Sequence, residues 1–420
     1  MSADLHPDPD LQPDPDLPVL DRDFTHDPQS VYAGMRAEGP VQQAWTNSGL
    51  RVWLVTRYAE ARSALADPRL RKDFRRNREI IRSRFDSTGQ REFGAALAEH
   101  MLNLDPPDHT RLRKLVTKAF TARRVEDLRP RVESITAELL DEMAGESEVD
   151  LLTAFAFPLP IRVICELLGV DTDRRDDFRH WSNTLLSSED PEAAQQAAGE
   201  MRRYLVELLA AKRAAPADDL LSALIEAGDR SDRLSEGELI GMVFLLLVAG
   251  HETTVNLIGN AVLALLRHPE QFAALRSDPG RAAQAVEETL RFEGPVNLAT
   301  MRHTAEPVEL GGVEIPEGEI VLVALNSADH DAERFPEPEV FDLDRPTTGH
   351  LGFGHGIHFC LGAPLARLEG QVALRELATR FPQLEAAGEV DGLGWRTSVI
   401  MHGLRTLPVR PGPDSLSGAR

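Results

Sequence analysis

The sequence predicts a mainly α-helical domain with a small β part, and three observations carry that prediction. Apolar residues recur at i, i+3 and i+4 through most of the chain. One long helical pattern begins at a capping signal, Ser235-Glu-Gly-Glu238, and continues to His268, where Pro269 stops it. At roughly 1.5 Å per residue this is about 50 Å of helix, apolar nearly all round, and therefore expected at the centre of the fold. Strand-like segments, by contrast, are short and few. A length of 420 residues suits two or three domains of about 150 residues or one enzyme-sized unit. No Gly/Ser linker interrupts the body, which favours one continuous domain over 21–410.

The elements follow in order. Residues 1–20 hold Pro-Asp-Pro-Asp-Leu twice, at Pro7–Leu11 and Pro13–Leu17. Alternating Pro and Asp neither pack nor donate ladder hydrogen bonds, so the stretch reads as a disordered tail. Arg51–Thr56 reads as a strand and Tyr58–Leu65 as a helix. Helical spacing then marks Thr110–Phe120, Val125–Met143, Ile161–Leu168, Met201–Arg213 and Arg281–Phe292. Strands return at Val308–Val313 and Ile320–Ala324, a Pro-rich irregular stretch spans Phe335–Pro346, and 411–420 forms a short C-terminal tail.

Composition excludes several functions. With 68 acidic and 46 basic side chains the net charge is −22, which phosphate backbones repel, so no nucleic-acid partner is expected. Two cysteines make no disulfide framework and point to a reduced, cytoplasmic setting. The first residues lack the basic and apolar regions of a signal peptide. The longest apolar run, Met242–Gly250, falls short of the roughly 18 residues a membrane span needs. The expectation is a soluble chain with no membrane partner.

The chemistry concentrates in Phe353-Gly-His-Gly-Ile-His-Phe-Cys360-Leu-Gly362. Glycines at 354, 356 and 362 permit close backbone approach, and a helix pattern with Pro364 in its first turn follows. A cysteine at a helix N-terminus has its thiolate favoured, which suits a metal ligand. Taken alone, Cys360 reads as well as a buried structural cysteine, and Cys165 has the apolar helix setting of a core residue. His251-Glu252 opens a zinc-protease pattern, but position 255 is Val and the second ligand is missing. His355, His358 and Cys360 leave a zinc reading open without a second ligand cluster. Dinucleotide, nucleophile-elbow and Walker patterns are absent.

The Phe353–Gly362 segment resembles the haem-binding signature of the cytochrome P-450 monooxygenases. Three further motifs agree in the family's order. Ala249-Gly-His-Glu-Thr-Thr254 is similar to the oxygen-activation motif, and Glu288-Thr-Leu-Arg291 matches Glu-x-x-Arg. Asp105-Pro-Pro-Asp-His-Thr-Arg-Leu-Arg113 resembles the haem-flanking helix of bacterial members. The resemblance covers roughly residues 20–410 and is strongest to soluble actinobacterial members that oxidise macrolides, steroids and related secondary metabolites. It implies the family's triangular helical domain with a long central helix over haem.

The resemblance also implies roles. Cys360 is the axial thiolate of haem b, a setting the handling of oxygen exploits because the thiolate pushes electron density toward O–O cleavage. Phe353 and Gly362 flank that ligand. His109, Arg113, Arg302 and His358 match the family's partners of the haem propionates. Ala249 and Gly250 lie beside the cofactor, with Glu252 and Thr253 as the acid and hydroxyl of a proton relay. Gly250 and the Thr253 hydroxyl are expected to open the helical ladder, and His251 to contact a neighbouring helix. Glu288, Arg291 and Arg345 form a structural network that locks the cysteine loop. The family's Pro-Glu-Arg-Phe is not kept, since the chain has Ala332-Glu-Arg-Phe335.

The chain has no flavin or iron–sulfur cysteine pattern, so electrons are expected from separate proteins, which the resemblance implies are a ferredoxin and its NAD(P)H-dependent reductase, with O2 as co-substrate. Residues 109–131 hold eight basic side chains (Arg111, Arg113, Lys114, Lys118, Arg123, Arg124, Arg129, Arg131) against Glu126 and Asp127. Such a patch would steer an acidic carrier. Leu245, Val248, Val296, Leu298 and Ile400 are candidate substrate-pocket walls. Phe74–Asn103, with Arg75, Arg76, Arg78, Arg82, Arg84 and Arg91, reads as a lid or a solvated helix, and Thr184–Tyr204 as a further wall. A roomy apolar pocket suits hydroxylation or epoxidation of a macrolactone or other polyketide, with a steroid or terpenoid as the alternative. A haem sensor or electron carrier would need no Glu252-Thr253 pair.

Overall fold

The pattern that opens at Ser235 folds as one helix, Glu236–Arg267, in the computed structural model, which describes residues 17–85, 97–170, 174–187, 190–230 and 234–416. Its capping box is complete. The Glu238 amide donates to Ser235 Oγ at 3.1 Å, and the Ser235 amide donates to Glu238 Oε2 at 2.8 Å. Helices Pro158–Leu168, Ala282–Phe292 and Ala363–Arg380 pack around it and share one large apolar core. A Cβ at Gly250 would lie 3.0 Å from Ile164 Cδ1, so this glycine permits the close approach of Pro158–Leu168. By length and composition the central helix could cross a membrane, yet 67% of its most apolar window is buried within the fold. Burial breaks in its middle, where Ala249 is exposed and Gly250 and Thr253 are half-buried.

The β part is a sheet ordered Val19–Leu20, Val41–Thr46, Arg51–Val55, Ile320–Val323, Arg302–Thr304, Leu70–Arg71. Arg302 stands opposite Val321, and Thr304 and His303 oppose Leu70 and Arg71. This register delivers Arg302 and the residue after Arg71 to the same side of the molecule. Two smaller apolar clusters flank the sheet.

The structure departs from the sequence pattern at three places. Val125–Met143 divides into Ala122–Asp127 and Arg129–Met143, because Pro130 has no N–H to give and crowds the preceding turn. Val308–Val313 is a hairpin, Val308–Leu310 with Val313–Ile315. Gly311 and Gly312 take φ of 57° and 80°, as a primed two-residue turn requires. The tail reading fails at its end, where Val19–Leu20 pairs in parallel with Trp45–Thr46 and Leu20 is buried. Residues 1–16 lie outside the described residues. At the other terminus, Asp414 pairs with Arg380, and the Ser415 amide donates to the Arg380 carbonyl at 2.9 Å.

Candidate active site

The cysteine loop is fixed by its own backbone. The Cys360 amide donates to the Phe353 carbonyl at 2.9 Å, closing the turn between them. Gly356 has φ of 74°, and a Cβ there would lie 2.9 Å from the Leu65 carbonyl oxygen. Only glycine therefore lets the loop seat on the end of helix Tyr58–Ala66. The amides of Gly362 and Ala363, at the start of Ala363–Arg380, donate to the Cys360 sulfur. Burial pushes the thiol up, while those amides, Arg113 and Arg367 oppose it. Cys360 keeps accessible surface and so is open to a ligand. A cation there would convert it to thiolate. Phe353 is half-buried, with the Arg367 guanidinium 4.6 Å from its ring centre.

Beside the loop lies a cluster of basic groups with almost no acid. The rings of His109 and His358 are 4.3 Å apart. Both His109 nitrogens and His358 Nε2 are buried without a hydrogen-bond partner. Arg302 is buried, and its side chain's only hydrogen bond among the described residues is a long one to the Thr300 carbonyl at 3.5 Å. Arg113 donates to the Phe359 carbonyl at 2.6 Å. Burial first, then repulsion among neighbours, pushes His358 down to about 2. Burial brings Arg302 to about 10, opposed by Asp105. Asp105 is the acid that faces them, and its oxygens accept the amides of Lys72 and Asp73 at 3.0–3.1 Å. Unpaired buried donors of this kind are costly unless an anion completes them. A thiol ligand beside donors for two carboxylates fits haem. Lys72 and His100 belong to the same cluster and were missed from sequence. Lys72 carried no local signal, since a lysine beside Arg71 reads as surface and only the sheet register places it inward.

On the central helix the Thr253 hydroxyl donates to the Ala249 carbonyl at 2.8 Å. The expected opening of the ladder is not seen, for the helix is continuous through Gly250. The glycine serves helix packing instead, against Ile164. Glu252 is buried. Its Oε1 accepts from Ser182 Oγ at 2.8 Å and lies 3.3 Å from His251 Nε2, while Oε2 accepts from Arg396 at 2.9 Å. Burial would raise this carboxyl, but His251, Arg396 and Ser182 outweigh it and hold it at about 2. As placed, Glu252 is held as a carboxylate by these three groups. Ser182 and Arg396, 70 and 144 residues away in sequence, carried no local signal. Ser182 lies on helix Arg175–Ser187, so His251 does contact a neighbouring helix, through Nε2 at 3.2 Å from its hydroxyl.

Glu288, Arg291 and Arg345 come together. Arg291 makes two 2.8 Å bonds to Glu288, and Arg345 Nε reaches Glu288 Oε1 at 3.2 Å. The guanidiniums also donate to the carbonyls of Asp329, Glu337, Pro338 and Val340. The irregular stretch before the cysteine loop is thus stitched to helix Ala282–Phe292. Asp329 accepts the Leu351 amide at 2.7 Å, and burial pushes its carboxyl up to about 7.

The candidate pocket residues separate. Leu245 and Val248 are nearly buried on the central helix. Val296 is half-buried and bridged to Met401, next to exposed Ile400, whose carbonyl accepts the Asn297 amide at 2.7 Å. Leu298 is corrected. It is fully buried in the apolar cluster with Leu54, Leu322 and Ala324, so it has no surface to offer a ligand. In the lid stretch, helix Phe74–Ser83 exposes Arg75, Arg76 and Arg82. Arg84 instead anchors to the Arg51 and Gly318 carbonyls, and Arg91 lies outside the described residues. Thr184–Tyr204 divides between helices Arg175–Ser187 and Pro191–Ala214. The basic patch is also corrected. Arg111, Arg129 and Arg131 pair with Glu238, Glu126 and Glu166, and Arg113 donates to the Phe359 carbonyl, so among the described residues the patch is not one unpaired basic face.

Comparison with known proteins agrees with this geometry. The cytochrome P450 family model matches residues 176–389. The chain is 60% identical over 397 residues to cytochrome P450 107B1 of Saccharopolyspora erythraea, covering 94% of this chain and 98% of that one. It is 47% identical to the 6-deoxyerythronolide B hydroxylase of the same organism, covering 94% and 98%. Among solved structures, the tirandamycin C-bound P450 monooxygenase TamI is similar, with a TM-score of 0.89 and 49% identity, covering 94% of this chain and 100% of that one.

Proposed function

Because the chain belongs to the cytochrome P450 family and is a haem- and O2-using monooxygenase, we propose that it hydroxylates or epoxidises a large polyketide, most simply a macrolactone. The single observation that carries this is the pairing of two likenesses of near-complete coverage. One relative is named for 6-deoxyerythronolide B, and one structure holds tirandamycin C. The bound haem supplies the oxygen-activating chemistry by which one oxygen atom enters the substrate.

The chain's own residues do the rest. Cys360 Sγ would hold the iron, with the Gly362 and Ala363 amides moderating its charge. His109, Arg113, Arg302 and His358 would hold the carboxylates. Thr253 both donates and accepts through one hydroxyl, and so can hand on a proton at the exposed Ala249 turn. Glu252, held as a carboxylate, accepts the hydrogen bonds of Arg396 and Ser182 and so fixes the polar groups next to Thr253. Leu245, Val248, Val296 and Ile400 supply apolar surface that excludes water from the reacting carbon.

Electrons, on this reading, come from NAD(P)H through a reductase and a ferredoxin in the cytoplasm. The test is a Soret titration of the ferric protein with macrolactones, steroids and fatty acids. A saturable low- to high-spin shift with macrolactones alone is expected. A shift confined to steroids overturns the substrate class. Turnover with peroxide but not with ferredoxin overturns the electron route.

A further inference from the structure

The strand Leu70–Arg71 is followed by a lysine that nothing among the described residues pairs. Lys72 is 3% exposed. Its amide is held by Asp105, but its ammonium has no hydrogen-bond acceptor or ion pair among the described residues. The groups that face it are Arg302 from the sheet, His100 from the turn Met101–Asn103, His109 from helix Asp108–Ala119, His358 from the cysteine loop, and Asp105. All but Asp105 are basic, and both Asp105 oxygens are engaged by amides. His100 Nδ1, His109 and His358 Nε2 are also without partners. A lysine does not stay buried among cations unless an anion arrives or the proton leaves.

We infer that Lys72 is a further partner of the haem carboxylates, beside His109, Arg113, Arg302 and His358, and that it takes up a proton when the haem binds. The inference rests on the haem reading above, which a Soret band tests separately. Burial, then Arg302, drives the Lys72 ammonium well below its ordinary range in the cofactor-free chain. Carboxylates at hydrogen-bond distance restore it. The bound form thus has the higher value. Haem retention is greatest below the free chain's value and weakens as pH rises through the interval, by at most about tenfold per unit. In the cofactor-free chain burial pushes the facing histidines down as well and brings Arg302 to about 10, so substitution of Lys72 is what separates its share of the slope from theirs.

The experiment times haem transfer from the holoenzyme to excess apomyoglobin between about pH 7 and about pH 10. Wild-type protein should lose haem faster as pH rises. K72M should lose it about tenfold faster at pH near 7, with little dependence on pH. K72R should retain haem yet lose the pH slope, because guanidinium does not titrate there. The propionate bending bands in resonance Raman spectra should shift in K72M. If K72M keeps the wild-type rate, slope and bands, the inference fails. If K72M does not fold, K72R decides, and an unchanged slope overturns the inference.

Discussion

Two constellations of buried charge lie close to the cysteine loop, and they differ in one respect. In the Glu288–Arg291–Arg345 network every carboxylate and guanidinium is met by another charge or a carbonyl. In the Lys72–His109–Arg302–His358 cluster the basic groups outnumber the acids, and several nitrogens have no partner. Chemistry and burial are alike, and completeness is not. The first set satisfies itself and so serves the fold. The second needs an anion from outside and so serves a ligand.

That contrast can be sharpened by substitution. The largest effect is expected at the thiolate. Cys360→Ser should lower turnover by about a thousandfold or more, while the basic cluster still binds haem weakly, as the absorbance spectrum would report. Next is the closed network. Arg291→Met leaves Glu288 charged and buried, and urea unfolding should show a loss of about 3–5 kcal/mol. Third is the relay. Arg396→Met frees one side of Glu252 and raises its carboxyl from about 2. Because that value lies below the ordinary one, Glu252 stabilises the fold above about pH 4.5 and loses this as pH falls through about 2. The variant should lose part of that contribution and about ten- to a hundredfold in coupled turnover, read as product formed per O2 consumed.

The smallest effect tests the contrast by its exception. Glu369 is fully buried, neither oxygen has a partner among the described residues, and burial raises its carboxyl well above the ordinary range. Its stabilising neutral form is complete below about pH 4.5 and is lost as pH rises through the folded value. Glu369→Met should therefore gain about 1–3 kcal/mol near pH 8, and less near pH 4. A loss at pH 8 would mean that Glu369 has a partner the apolar surroundings do not suggest.

How much of this was legible in the sequence follows from the range of each interaction. The central helix was readable because its cap and apolar pattern are local. Cys360, Thr253, Glu288 and Arg291 were readable because their motifs are contiguous and come in the family's order. Lys72 was overlooked because a lysine beside Arg71 reads as surface until the register places it inward. Arg396 and Ser182 reach Glu252 only through tertiary packing. Leu298 looked like a wall residue by motif position, and its bridge to Ala324 instead draws it into the core. The eight-residue basic patch failed because charge counted along a chain ignores the acids that fold against it.

The most direct test compares Arg291→Met with Arg302→Met in two assays, urea unfolding and haem transfer to apomyoglobin. The account predicts that Arg291→Met lowers the unfolding midpoint strongly. Arg302→Met should speed haem loss while leaving the cofactor-independent unfolding midpoint near wild type. Equal destabilisation by both, with haem loss unchanged in Arg302→Met, would contradict it.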